Sequence, residues 1–139
     1  MLQTWPETGP PLKWDVAGLG RGYSSPTVAG GRLYVTGMTQ DSDEGFLHAF
    51  DLKGNLLWKR SLGIDWGGMY PGSRGCPTVD DHRLFLLSGM GTLFCFDAFS
   101  GEVVWTRSLV DDLGGEAPRG RVTVKRLPWP TSVSTVIAP

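Results

Sequence analysis

The chain has 139 residues, of which 20 are glycine and 10 proline, about a fifth of the whole, which leaves little room for long helices. Six tryptophans and an aromatic content of 11% argue against a disordered chain, and 13 basic against 14 acidic residues give no electrostatic case for nucleic acid or an anionic membrane surface. No apolar run approaches the about 18 residues of a membrane span. In chain order, Met1-Leu2-Gln3-Thr4-Trp5-Pro6 shows neither a basic nor an apolar leader region, so no signal peptide is predicted as the sequence is written. Residues 11–17, around Trp14, read as the closing strand of a repeat. Gly18-Leu19-Gly20-Arg21-Gly22 superficially matches a phosphate loop, but Tyr23-Ser24-Ser25-Pro26 begins a strand where such a loop needs a helix, and a flexible turn is expected. Thr27-Val28, Leu33-Tyr34-Val35-Thr36, Phe46 to Phe50 and Leu56 to Lys59 are short β-prone runs, parted by Gly30-Gly31, an acidic loop from Asp41 to Gly45, and Asp51 to Asn55. They define a four-stranded unit over 24–62. A second unit over 75–109 repeats the order, with Ser88-Gly89-Met90-Gly91 as a tighter turn. Glu102 to Leu113 alone also fits a short amphipathic helix, and its register with Leu56 to Arg60 decides for strand.

The repetition carries the fold assignment. Pro26 recurs as Pro77 after 51 residues, Asp51 as Asp97 after 46, and Trp58 as Trp105 after 47, while Trp14 lies 44 before Trp58. Four antiparallel strands in about 45–50 residues are the signature of a propeller blade. The expected fold is all-β: two four-stranded antiparallel blades and part of a third, spread over residues 1–119, in an incomplete ring. Residues 120–139 lose the register. With suitable synonymous codons, a shifted frame through Arg121 to Trp129 reads Gly-Tyr-Ser-Glu-Ala-Pro-Ser-Leu, close to Gly22-Tyr23-Ser24-Ser25-Pro26 and placed where the period predicts the next blade. The tail is therefore expected to be a frameshift product of a longer protein with further blades.

The pattern Ala-x-Asp-x-x-x-Gly-x-x-x-Trp resembles the pyrroloquinoline-quinone-type (PQQ-like) β-propeller repeat, also called the quinoprotein-alcohol-dehydrogenase-like fold. It stands here as Ala49, Asp51, Gly54 and Trp58, one residue short between Asp and Gly, and as Cys95, Asp97, Gly101 and Trp105, with Cys where Ala is usual. The resemblance implies that the Trp packs over the neighbouring blade and that the Gly closes the preceding turn with positive φ. It also implies two functional classes. One is a non-catalytic binding or scaffolding module, similar in kind to a barrel-assembly lipoprotein of the bacterial outer membrane. The other is a piece of a PQQ-dependent dehydrogenase whose catalytic blades lie elsewhere. The family's dehydrogenases hold the quinone between a Trp and an adjacent Cys-Cys disulfide beside Ca²⁺, and Cys76 and Cys95 are not adjacent. The expectation is the binding module, with no PQQ or Ca²⁺ in this chain, exported to the periplasm or cell surface as the family pattern implies.

Candidate chemistry is sparse. Asp41, Asp43 and Glu44 gather carboxylates without the spacing of a calcium loop, and His48 and His82 have no metal-ligand neighbours in sequence. Cys76 and Cys95 read as isolated small residues, or as a pair if the fold brings them close. The loop from Gly63 to Gly75 carries Trp66, Tyr70 and Arg74 and is the expected surface for a protein partner or small ligand on a propeller face. Open blade edges are expected to self-associate.

Overall fold

A computed structural model describes residues 6–116 apart from Thr8. Strands β1 (Thr27–Ala29), β2 (Arg32–Met38), β3 (Glu44–Asp51) and β4 (Leu56–Ile64) form one antiparallel sheet in sequence order. Strands β5 (Thr78–Asp80), β6 (Arg83–Leu87), β7 (Thr92–Asp97) and β8 (Val103–Ser108) form a second with the same order. These are two four-stranded blades, and no helix forms among the described residues. The segment with ambiguous periodicity is β8, pairing Val103 with Phe96 and Trp105 with Cys95. The expected tail over 120–139 lies outside the described residues.

The core lies between the sheets. Tyr34, Leu47, Ala49, Trp58 and Leu62 of the first meet Leu84, Leu86, Phe94, Phe96 and Ala98 of the second. Strand alternation sends Leu47 and Ala49 into this layer and turns Phe46, His48 and Phe50 to the opposite face. The Ala of the repeat motif has a steric reason. Tyr34, Ala49 and Trp58 are cross-strand neighbours in one row, and the small Ala49 lets the two rings close to 5.9 Å at 45°. The second sheet repeats the row as Phe85, Cys95 and Trp105, with the rings at 6.1 Å and 49°. Cys95 is thus a buried stand-in for Ala, and Cys76 is exposed; both are free thiols.

The motif Asp ties off the turn between the third and fourth strands. Asp51 Oδ1 accepts from the Lys53 and Asn55 amides at 2.8 and 2.9 Å, and Asp97 Oδ1 from those of Phe99 and Ser100 at 3.0 and 2.9 Å. Both carboxyls are held below the usual carboxylate range, at Asp51 chiefly by the Asn55 side chain, whose Nδ2 donates to Oδ2 at 2.8 Å, and at Asp97 chiefly by the Ser100 amide.

The motif Gly does more than turn the chain. Gly101 has φ +70°, and a Cβ there would lie 2.6 Å from Cδ2 of Trp58, so the indole of one blade lies directly on the turn of the next. Trp14 stands in the same relation to Gly54, and its Nε1 donates to the Leu52 carbonyl at 2.9 Å. Residues 11–17, expected as a blade-closing strand, have no strand ladder, and Trp14 docks on Gly54 and Leu52. Polar contacts complete the seam between the sheets. Tyr34 Oη donates to Ala98 O at 3.0 Å, Arg32 to Phe99 O at 2.6 Å, and Arg60 to Gly101 O and Ser100 O at 2.8 and 3.0 Å. The counterparts of the motif Trp and of both arginines in the second sheet are Trp105, Arg83 and Arg107, and Trp105 is 37% exposed.

Candidate functional site

The glycine-rich segment before β1, expected from its sequence to be a flexible turn, is instead tied down at both ends. Arg21 exchanges backbone hydrogen bonds with Met38 at 2.8 Å in each direction, and Tyr23 N donates to Ser73 O at 2.8 Å. The segment is a seam that ties the end of β2 to the loop between the sheets. The acidic loop is likewise spoken for: Asp43 pairs with Arg21 at 3.2 Å, and Glu44 accepts from Ser61 Oγ at 2.7 Å.

The inter-blade loop draws its predicted residues together. Arg74 Nη2 donates to the carbonyls of Tyr70 at 2.6 Å and Met69 at 3.3 Å, and Trp66 Nε1 donates to the same Met69 carbonyl at 3.0 Å. The Arg74 guanidinium lies 5.3 Å from the Tyr23 ring centroid. The result is a braced loop whose crown is apolar: Met69 is 79% exposed, Tyr70 69% and Tyr23 63%. Tyr70 sits at φ +55°, an uncommon conformation for a bulky residue.

Asp65 anchors this loop and went unnoticed in the sequence. It is buried, its Oδ2 accepts from Ser73 Oγ at 2.6 Å, and its Oδ1 accepts from the amides of Trp66 at 2.9 Å and Gly89 at 2.8 Å. One carboxylate thus clamps both ends of the loop and the tight turn of the second sheet. An Asp at the foot of a Gly-rich loop with a Ser eight residues on was the available signal.

A second feature lies on the far face of the first sheet. A cavity of about 590 Å³ opens between the N-terminal segment around Val16 to Gly20, the hairpin at Thr39 to Asp41, and Phe46, His48 and Lys59. His48 is 5% exposed and stacks on Phe50 at 6.2 Å and 16°, and its Nδ1 has no hydrogen-bond partner among the described residues. Burial, with the Lys59 ammonium adding to it, holds its pKa below the ordinary 6.5, so the ring is neutral at pH 7. Lys59 Nζ lies 3.6 Å over the Phe46 ring.

Cys76 and Cys95 are separate free thiols, Trp58 is committed to Gly101, and among the described residues no group of three His, Cys, Asp or Glu side chains could hold a metal ion.

Compared with known proteins, residues 43–127 match the PQQ-repeat family described as outer membrane protein assembly factor BamB. The chain belongs to this family. A curated relative, outer membrane protein assembly factor BamB of Moranella endobia (strain PCIT), is 31% identical over 120 residues, covering 78% of this chain. The chain spans 29% of that relative's length. Among solved structures, a europium-containing methanol dehydrogenase aligns over 70% of this chain and 18% of its own, with a TM-score of 0.51 and 16% identity, a likeness of fold alone. BamB from Moraxella catarrhalis aligns over 68% of this chain and 30% of its own, with a TM-score of 0.47 and 24% identity.

Proposed function

We propose that this chain is part of a non-catalytic propeller of the bacterial cell envelope, on the periplasmic side, that acts as a binding module in outer-membrane protein assembly. Family membership supports the setting, and one structural observation carries the role. The loop from Asp65 to Gly75 exposes Met69 and Tyr70 on a frame braced by Arg74, Trp66 and buried Asp65. Aromatic, Met and Arg side chains on a pre-ordered backbone are the composition of a protein-binding surface, because little entropy remains to be lost on docking. The near-neutral charge of the chain points the same way, to a partner bound by shape and apolar contact.

The test is photo-crosslinking in a Gram-negative envelope, with a photoreactive amino acid at Tyr70 and, as control, at exposed Lys53 on the far turn. A crosslink from position 70, absent from 53, to a protein of the outer-membrane assembly apparatus is the expected result. Equal labelling from both positions, or none from a folded chain, refutes the proposal.

A further inference from the structure

We infer that the outer face of the second sheet docks the first-sheet turn of a second copy of this chain, joining copies head to tail. That face is the repeat equivalent of the one by which the first sheet packs on the second. Leu87, Leu93 and Arg107 lie beside the Trp105 row as Thr36, Leu47 and Arg60 lie beside that of Trp58. In the first sheet the face is covered, with Thr36 3% and Trp58 8% exposed. In the second, Leu87 is 44% and Trp105 37% exposed.

The polar half of the contact is already posed. Arg60 Nη1 donates to the Lys59 carbonyl at 3.1 Å, while its Nε and Nη2 reach the carbonyls of Gly101 and Ser100. Arg107 Nη1 makes the same bond to the Thr106 carbonyl at 2.9 Å, and its Nε and Nη2 have no acceptor among the described residues. A guanidinium held this way fits the carbonyls of a tight turn, and the indole beside it fits a residue without a Cβ. The chain carries a second turn of this kind, Asp51 to Asn55. Its Gly54 stands at φ +88° and already receives an indole, that of Trp14. Trp14 holds the turn by ring contact and one hydrogen bond to Leu52 O, without a strand ladder. Trp105 arrives with a guanidinium and an apolar sheet face, and so displaces Trp14 from the second copy's turn. Each copy offers one face and one turn, so the contact is heterologous and builds rings or filaments. With 13 basic and 14 acidic residues, no long-range repulsion keeps copies apart.

The experiment is sedimentation velocity of the full chain over a concentration series. Concentration-dependent assembly is expected, weakened about thirtyfold in Trp105→Ala and about tenfold in Arg107→Gln. Mixing tests the arrangement. At a concentration where the parent assembles, Gly54→Ala and Trp105→Ala chains should each stay monomeric alone and form heterodimers, and nothing larger, together. Trp14→Ala clears the turn without touching the second sheet, so assembly should tighten, and the gain should vanish when Trp105→Ala is added. That arm decides the matter if Gly54→Ala does not fold. A chain that is monomeric at every concentration overturns the inference. So does assembly unchanged in Trp105→Ala, which assigns it to the sheet edges. Trp105-dependent dimers indifferent to Gly54→Ala and Trp14→Ala overturn it as well, since the two outer faces then pair with each other.

Discussion

Replacing Gly101 by Ala separates turn chemistry from docking chemistry. The substitution meets two obstacles: φ is +70°, and the new Cβ would lie 2.6 Å from Trp58 Cδ2. A left-handed backbone costs a residue with a Cβ about 1–2 kcal/mol. Lifting the indole loosens its pairing with Tyr34, worth about 0.5–1.5 kcal/mol, and rehydrating some 40 Å² of ring adds about 1 kcal/mol. The expected loss is about 3–4 kcal/mol. Gly30 is the control, because it has φ +55° with nothing within 4 Å of an added Cβ, so Gly30→Ala carries the backbone cost alone, about 1–2 kcal/mol. Urea unfolding followed by far-UV circular dichroism measures both variants. In a Trp58→Ala background the excess at Gly101 should vanish, since its cause has been removed. Equal losses at Gly30 and Gly101 in the native background would refute the docking argument.

Two further outcomes follow from the buried and turn carboxylates. Because its pKa is depressed in the folded chain, Asp97 contributes stability above its unfolded value of 3.8 that is lost as pH falls through the lower folded value; Asp97→Asn should unfold more readily at pH 7, with a gap to the parent that narrows below pH 3.8 in urea titrations. Asp65→Ala leaves Ser73 Oγ and the Gly89 amide without their acceptor, and should cost about 2–3 kcal/mol and speed hydrogen exchange across residues 66–75; unchanged exchange there would show that the loop is pinned by other contacts.

The architecture was legible because a propeller blade is specified by local signals that recur. Short β-branched and aromatic runs, Gly-Gly at 30–31 and an Asp turn before each fourth strand each act within a few residues, and the register of Trp58 with Trp105 fixed the one ambiguous segment. What the motif Gly does was only half visible, since its positive φ is a local property while its contact with the preceding blade's Trp joins residues 43 apart. Arg21 and its neighbours were misread as a free turn for a related reason. Their partners, Met38 and Ser73, are set by how the sheet ends meet, and nothing in a glycine-rich string announces a backbone seam. Trp66, Tyr70 and Arg74 were singled out through composition, yet the loop that carries them is held by Asp65, one buried polar residue whose partners are Ser73 at the loop's other end and Gly89 in the second sheet.

The two copies of the repeat also separate what the fold requires from what it leaves free. Asp51 and Asp97 tie the same turn, Gly54 and Gly101 receive the same indole, and Ala49 and Cys95 space the same pair of rings. None of these positions is available for chemistry, because each is consumed in joining strand to strand or blade to blade. The copies part in the loop after β4, which is long, braced and apolar at its crown. That loop lies outside the inter-sheet core, so its crown can be altered without disturbing the Trp58–Gly101 contact that holds the blades together.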